Sequence, residues 1–341
     1  MIKIDQTPIY TCKNYGINNL NIEENIIDVK TMPYTNCKTN VVNFEKLEQL
    51  PQNNFSKEFD CLTKQKNNFA KKIDIDSLDN VSKEILFDFD NNLVDALEIN
   101  VKPNIKSKMI IKYLSSKNVF HSATIKINAE QNAELDLIVL CNVQSASANF
   151  LSLQTNCDTN SQIHLYLIDF GAGLTLHNLK SNLIGNNSKF YFDAIYFGKN
   201  KDKLNLNYHI EISGKECDAK MNVLGVLDNY SQKNFVGTID FLKGSQKSVG
   251  EENEYAILLS DKAKSKSTPI LLCTEKDVDG KHGSACGKFD EDLLYYIKSR
   301  GISETDAKKI LVKAKLNKLT SSIESDKIKD EIFKQIDKLF N

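Results

Sequence analysis

The 341-residue sequence predicts a mainly β fold, in which a β-solenoid follows a mixed, partly helical segment and precedes a small helical module. Three observations lead to this fold class. No proline occurs between Pro103 and Pro269, apolar and polar residues alternate in short runs over that interval, and the apolar period becomes helical from Asp290 onward. We therefore expect an N-terminal mixed or helical region over 1–100, a β-helix core over 101–287 and a C-terminal helical module over 288–341.

The first region combines helical spacing with proline breaks. Apolar residues recur at roughly helical intervals within 43–50 and 56–71, which predicts short amphipathic helices there. Pro33, Pro51 and Pro103 punctuate this part of the chain. No motif in residues 1–100 indicates a function.

The central region consists of alternating runs that begin in a similar way. A polar turn and a small residue precede several of them, as in Gln131-Asn132-Ala133 and Cys217-Asp218-Ala219. Such self-similarity favours a solenoid, in which each strand packs on the next coil, over an antiparallel sandwich, which would show a similar alternation. The turns are too short for the helices of βαβ units. The predicted strands lie at 123–129, 133–139, 163–167, 190–196, 204–212, 219–223 and 235–241.

Three helices are predicted after Asp290. The first ends at Gly301, a residue type that accepts the left-handed conformation after a helix. The second begins at Ser303, whose hydroxyl can cap the Asp306 amide, and the third begins near Glu324. The residues expected to face inward are Leu293, Leu294 and Ile297, then Ala307, Ile310, Leu311 and Ala314, then Ile328, Ile332, Phe333, Ile336 and Leu339.

The composition excludes several classes of partner. Lys and Arg number 44 against 45 Asp and Glu, so no overall field attracts nucleic acid or an anionic membrane. The start lacks the apolar run of a signal peptide, and no segment reaches the roughly 18 apolar residues of a membrane span. We expect a cytoplasmic protein. Its 8 cysteines form no C-x-x-C pair, so we expect reduced thiols and no zinc site.

Common enzyme motifs are absent from the sequence, including the phosphate-binding loop, the dinucleotide fingerprint and the nucleophile elbow. His121, His164, His177 and His209 lie in or beside the strand runs. A hydrogen-bonded or exposed imidazole on the polar face is expected there, so no role is assigned to them.

His282 is different because it lies in a glycine-dense segment, 280–287, predicted as a loop between the last strand and the first terminal helix. Cys286 follows four residues later and Cys273 precedes it. Imidazole and thiolate together suit iron, copper or zinc. A structural turn remains the competing interpretation of this segment.

Ordered motifs between residues 220 and 319 carry a resemblance to a known family. They are Gly225-Val226-Leu227, 235–239, 244–247, 257–260, Pro269, the block 277–291 around His282-Gly283, and 294–303 with Ser299-Arg300-Gly301-Ile302. In this order they resemble the SufB/SufD scaffold proteins of iron-sulfur cluster assembly. Residues 1–100 show no such likeness.

The resemblance implies a right-handed parallel β-helix and a complex in which SufB and SufD pair through their β-helices. A transient iron-sulfur cluster would form near that interface, with no tightly bound cofactor and no catalysis by this subunit. The ATPase SufC would hydrolyse the nucleotide and bind the terminal helices. The residues expected to meet SufC are Tyr296, Lys298, Arg300, Gly301 and Ile302.

Two departures place the chain on the SufD side of the family. It has no cysteine shortly before Pro269 and has His282-Gly283 where SufB has His-Glu. Gly280 stands where many SufD sequences have a cysteine, although Cys286 would serve if the segment folds back. His282 therefore carries over by motif as a cluster ligand, and Cys286 and Cys273 are candidates.

Three other functions stay open. The chain would be a stand-alone SufB-like scaffold if Cys217 or Cys286 accepts sulfur. It would be a purely structural assembly protein if it never contacts a cluster. A β-helix enzyme acting on carbohydrate is the remote alternative, although such enzymes use clustered carboxylates or basic residues, and none is evident in the sequence.

Overall fold

The computed structural model describes residues 2–4, 20–22, 32–41, 44–77, 82–144 and 146–340. Strands β1 (Ile2–Ile4) and β2 (Leu20–Ile22) form a small antiparallel pair. The remaining strands form two nine-stranded sheets. We call them the front sheet and the back sheet.

Consecutive long strands alternate between the two sheets. The front sheet contains β3 (Cys37–Thr39), β6 (Lys83–Asp88), β8 (Lys106–Ser115), β10 (Glu134–Val143), β12 (Gln162–Asp169), β14 (Lys189–Gly198), β16 (Asp218–Leu227), β18 (Ser248–Leu258) and β20 (Val278–Gly287). The back sheet contains β4 (Glu45–Lys46), β5 (Phe69–Ile75), β7 (Leu93–Val101), β9 (Phe120–Ala129), β11 (Ala148–Cys157), β13 (Leu174–Leu183), β15 (Lys203–Ile212), β17 (Gln232–Phe241) and β19 (Lys264–Cys273).

The long strands pair in parallel with the strand two positions away in the chain, for example β10 with β12 and β12 with β14. Each coil thus contributes one strand to each sheet, which is a parallel β-solenoid. The predicted fold class is confirmed, and the antiparallel sandwich is wrong because its sheets would be built from antiparallel pairs.

Asparagine shapes the corners of the coils. Asn104, Asn132, Asn160 and Asn187 have φ between 58° and 62°, in the left-handed region. Asparagine tolerates this conformation better than most residues because its short polar side chain bonds locally. The polar turns that precede the predicted strands therefore have a structural cause.

Alternate residues of the strands fill the space between the sheets. Side chains such as Ile125, Leu137, Leu165, Phe192 and Ile239 are buried there in one continuous hydrophobic cluster. The alternation predicted from the sequence is this inward face, since a strand points successive side chains to opposite sides.

The helical predictions for the N-terminal region are partly wrong. Helix α1 (Lys57–Lys66) forms within 56–71 and is capped by Ser56, but Phe69 already begins β5. The other segment, 43–50, contains β4 instead of a helix, and its Asn43 lies outside the described residues. The parallel ladder of β5 with β7 shows that solenoid strands occur upstream of residue 101. Tertiary pairing overrides local helical spacing here.

Helix α1 covers part of the outer face of the back sheet. Its Phe59, with Phe55 just before it, packs on Phe120, Phe150 and Leu176 from successive coils. An apolar patch on an otherwise polar sheet face is thereby buried.

Three helices follow the solenoid, namely α2 (Glu291–Ser299), α3 (Glu304–Thr320) and α4 (Asp326–Leu339). The predicted boundaries are confirmed, because Gly301 has a φ of 85° and the Asp306 amide donates to Ser303 Oγ at 3.1 Å. No helix in the described part of the chain is both long and apolar enough to cross a bilayer.

Helices α3 and α4 pack against the outer face of the front sheet. Val312 and Leu316 of α3, with Ile328, Ile332 and Ile336 of α4, join front-sheet side chains in a second hydrophobic cluster. The apolar stripe predicted for α4 is confirmed.

The inward face predicted for the other two helices is partly wrong, although Leu294, Ile297 and Leu311 are half-buried. Ala307 is buried, but Ile310 is 46% exposed, Ala314 is exposed, and Leu293 of α2 is 46% exposed. Helix α3 turns Val312 and Leu316 to the sheet, so Ile310 points away from it. Which stripe of a helix is buried depends on the surface it meets.

Candidate functional site

The last coil forms an open end of the solenoid. Strands β19 and β20 lie at one edge of the two described sheets, and β4 and β3 lie at the other. The inward side chains of β19 and β20 therefore have no following coil above them, and edge strands offer unpaired backbone groups to a partner. Ser284 and Cys286, which point inward on β20, are exposed for this reason.

His282 lies in strand β20, so the loop predicted for 280–287 is wrong. The segment pairs in parallel with β18 over its length. Its glycines hide the strand pattern from sequence analysis, yet Gly280 fits closely, since a Cβ there would lie 2.9 Å from the Leu271 side chain. His282 is exposed on the inward face of this edge strand.

Glu252 is the neighbour of His282 in the parallel ladder, one coil earlier and on the same inward face. Its side chain is fully buried, and neither carboxyl oxygen has a hydrogen-bond partner. Gly237 leaves room for it, because a Cβ at Gly237 would lie 2.3 Å from Glu252 Oε1. Burial, assisted by the charge of Glu254, raises the pKa of Glu252 to about 8.

Glu254 lies two residues further along β18 and is fully partnered. It accepts hydrogen bonds from Lys233 Nζ at 2.7 Å, Tyr196 OH at 3.1 Å, Ser267 Oγ at 2.9 Å and Ser284 Oγ at 2.9 Å. Both ionic side chains of the Lys233–Glu254 pair are completely buried. The interior of the last coils thus contains a buried ionic network, and Ser284 connects it to the open end.

The two candidate cysteines lie toward opposite ends of this open face. Cys286 is four residues beyond His282 on an extended strand, a separation of about 13 Å. Cys273 ends β19 just before the turn into β20, and burial together with Asp240 raises its thiol pKa. The fold-back that would bring Cys286 to His282 does not occur, because the segment is extended. A single metal ion at His282 would therefore lack these thiolates.

The residues predicted to bind the ATPase form an exposed surface on and after α2. No residue of α2 is buried, and Tyr295 and Tyr296 are 74% and 56% exposed. The Arg300 guanidinium stacks 5.1 Å from the centre of the Tyr296 ring, and Lys298 pairs with Glu304 at 2.8 Å. Tyr296, Lys298 and Arg300 are thus accessible, whereas Ile302 is half-buried beside Gly301.

Comparison with known families shows which family the chain belongs to. The family described as "SUF system FeS cluster assembly, SufBD core domain" matches residues 88–315. This chain belongs to the SufBD family. The predicted membership, and the likeness to SufD, are confirmed.

Curated SufBD proteins from bacteria and archaea are similar to the chain. The iron-sulfur cluster assembly protein SufD of Escherichia coli is 23% identical over 65% of this chain and 53% of its own length. SufD of Bacillus subtilis is 25% identical over 49% of this chain and 38% of its own length. A SufBD family protein of Methanothermobacter thermautotrophicus is 23% identical over 60% and 57%, respectively. The matches span only about half of these relatives.

Sequence analysis missed Glu252, Glu254 and Lys233 of this SufBD site. The only signal was a pair of acidic residues spaced by two in 248–258, a stretch with little apolar alternation. The inward direction of Glu252 and Glu254 follows from the ladder with β20, and that of Lys233 from the ladder of β17 with β15. The sequence displays neither ladder.

The expectation that the other histidines lie on polar faces is wrong for two of them. His121 and His177 are buried inside the solenoid. His121 contacts Asn149 Oδ1 at 2.6 Å and Asp95 Oδ1 at 3.3 Å, and His177 contacts Asp169 Oδ2 at 2.8 Å. Asn149 also donates to Asp169 at 2.8 Å, so the SufBD core contains a continuous buried polar chain.

Proposed function

We propose that this chain is a SufD-like scaffold subunit that pairs with a SufB-like subunit and binds a SufC-like ATPase in the cytoplasm. It performs no catalysis itself. Membership of the SufBD family supports the general role in cluster assembly. The observation that carries the specific proposal is the exposed His282 on the open coil, beside the buried, unpartnered carboxyl of Glu252.

The SufB-like partner would bind at the open end. Edge strands β19 and β20 present backbone groups that a second sheet can pair with. Strand β20 carries three glycines without side chains, Gly280, Gly283 and Gly287. Another backbone can therefore approach this strand closely. The partner would complete a site that His282 begins.

Iron is cargo at this site. The His282 imidazole is a suitable nitrogen ligand for iron. Glu252, one coil below, supplies a carboxyl whose proton would leave when a cation binds nearby, because a positive charge favours the ionised form. The absence of a thiolate beside His282 favours weak, reversible binding, which suits a cluster that is built and then transferred. Thiolate ligands would come from the partner.

The SufC-like ATPase would bind α2. This helix exposes Leu293, Tyr295 and Tyr296, and Ile310 of α3 is also exposed. Exposed aromatic and apolar side chains next to Arg300 are typical of protein interfaces.

Co-expression with a SufB-like and a SufC-like protein tests this function. We expect the three chains to purify together with iron and sulfide. His282→Ala should leave the complex assembled and lower its iron and sulfide content severalfold. His164→Ala, which removes a histidine on the outer face of the front sheet, is the matched control and should leave the content unchanged.

Two outcomes would contradict the proposal. If the chain co-purifies with neither partner, the proposed complex does not form. An assembled complex with the same iron and sulfide in the His282→Ala variant would leave only a structural role for this subunit.

A further inference from the structure

The outer face of the back sheet carries a row of side-chain amides, one per coil. Each Nδ2 group donates to the side-chain oxygen of the coil before it, at 2.7 to 2.8 Å. We call this the amide row; it starts at the carboxylate of Asp74 and continues with Asn100, Asn128, Asn156 and Asn182. The row continues from coil to coil because each amide can donate to the coil before it and accept from the coil after it.

The amide row stops at Asn182. The next two positions in the same register are Glu211 and Asp240, which are carboxylates. An ionised carboxylate accepts hydrogen bonds but donates none. Asn182 Oδ1 is accordingly buried without a hydrogen-bond partner. Three acceptor groups therefore follow one another, and the two carboxylates repel each other across adjacent strands.

The neighbouring register position adds two more unpartnered atoms. His209 and Thr238 lie side by side on adjacent strands, each two residues before a carboxylate on the same outer face. Thr238 is fully buried and its Oγ1 has no hydrogen-bond partner. His209 Nε2 also lacks one, and it lies 3.8 Å from Asp240 Oδ2. Buried unpartnered polar atoms are rare, and a group of them calls for an explanation such as a bound water or ion.

Lys180, a positive group beside this cluster, does not satisfy it. Lys180 Nζ lies 3.6 Å from Glu211 Oε2, and its side chain is 43% exposed. It leaves His209 Nε2 and Asn182 Oδ1 without a hydrogen-bond partner. Burial lowers the pKa of His209, and its imidazole offers a nitrogen of the type that commonly binds metal ions.

We propose that His209, Glu211 and Asp240 bind a divalent transition-metal ion on the outer face of the back sheet, with Asn182 Oδ1 and Thr238 Oγ1 beside it. One ligand atom from each of the three residues lies within 4.8 Å of the others. One imidazole and two carboxylates suit Zn²⁺, Fe²⁺ or Mn²⁺. The site is separate from His282, which points to the inside of the solenoid.

Titration of the metal-stripped, full-length chain tests the proposal. Co²⁺ should bind saturably with a visible absorption band, and calorimetry should show one corresponding Zn²⁺ site. Asp240→Asn and His209→Gln should each weaken binding at least about tenfold, the scale expected when metal-site groups are removed. Asp74→Asn, at the other end of the amide row, and His282→Ala should retain binding at this site.

Thermal unfolding separates loss of the metal from loss of the fold. Asp240→Asn supplies an amide in place of one of the two repelling carboxylates, so the metal-free variant should be at least as stable as the wild type. Zn²⁺ should raise the Tm of the wild type and not that of the variant. The proposal would be overturned if the wild type shows no saturable binding. It would also be overturned if the Asp240→Asn and His209→Gln variants bind the metal as tightly as the wild type.

Discussion

Glu252 lies one coil below His282 in the parallel ladder, and its buried carboxyl has no hydrogen-bond partner. Two residues away on the same face, Glu254 accepts hydrogen bonds from Lys233, Tyr196 and two serines. The strand thus provides one structural carboxylate and one that is available to a ligand. Several predictions about stability and binding depend on this difference and on the surfaces around it.

The first prediction concerns the pH dependence of stability. The pKa of Glu252 is raised from 4.5 to about 8, so the folded chain keeps a proton that the unfolded chain releases in this window. Its contribution to the free energy of unfolding is complete below about pH 4.5 and is lost as pH rises to 8, at about 1.4 kcal/mol per pH unit at most. Glu252→Gln should remove this slope and be more stable than the wild type at pH 8.

Urea unfolding between pH 5 and pH 9 measures this slope (about 4 pH units cover the window). Glu251→Gln, on the opposite face of the same strand, is the control and should keep the wild-type slope. Equal slopes in the wild type and the Glu252→Gln variant would show that Glu252 is ionised in the folded chain.

The second prediction concerns the buried ion pair. Lys233→Met leaves the Glu254 carboxylate without its cation, which should cost about 3 to 5 kcal/mol of unfolding free energy. Adding Glu254→Gln removes the uncompensated charge and keeps one acceptor oxygen, which can serve either Tyr196 or the two serines. The double variant should recover at least half of the loss in denaturant titrations. If Lys233→Met and the double variant are equally stable, Lys233 and Glu254 are not a charged pair in the folded chain.

The third prediction compares two members of the amide row. Asn128 donates to Asn100 at 2.7 Å and accepts from Asn156 at 2.8 Å, whereas Asn182 only donates, to Asn156. Each net hydrogen bond contributes about 1 kcal/mol. In the metal-free chain, Asn128→Ala should therefore be about 1 kcal/mol more destabilising than Asn182→Ala. The reverse order would exclude the row as a source of stability.

The fourth prediction follows from the proposed ATPase contact. Tyr296→Glu places a charge on the exposed face of α2, where it should weaken binding of the SufC-like ATPase at least about tenfold, the effect of a loss above 1.4 kcal/mol at an interface. Its Tm should stay close to that of the wild type because the side chain is exposed. Tyr230→Glu, a tyrosine 52% exposed at a solenoid corner, is the control and should bind normally. Calorimetry with the purified ATPase compares them.

Much of the fold could be predicted because its causes are local. Alternation over 204–212 shows which side chains point inward, and Ser303 and Gly301 mark helix ends through their own backbone chemistry. Where local pattern and pairing disagree, prediction failed. Phe69 fits a helical period but lies in a strand, and the glycines around His282 conceal another strand.

The candidate site was predictable only as far as its motif. His282 was identified by the residues around it, but its relation to Glu252 depends on the stacking of coils 30 residues apart along the chain. The same holds for His209, Glu211 and Asp240. Polar residues are common on the outer face of a strand, and only the stacking of coils brings these three together at the end of the amide row.

The sequence by itself determined the period of each strand, the places where helices begin and end, and the motif that marks the family. The tertiary structure alone decided that Glu252 lies under His282, that α3 buries Val312 and exposes Ile310, and that carboxylates follow Asn182. The physical reason is that dihedral preference and alternation are properties of neighbouring residues, whereas burial, register and pKa depend on which distant residues a coil brings alongside.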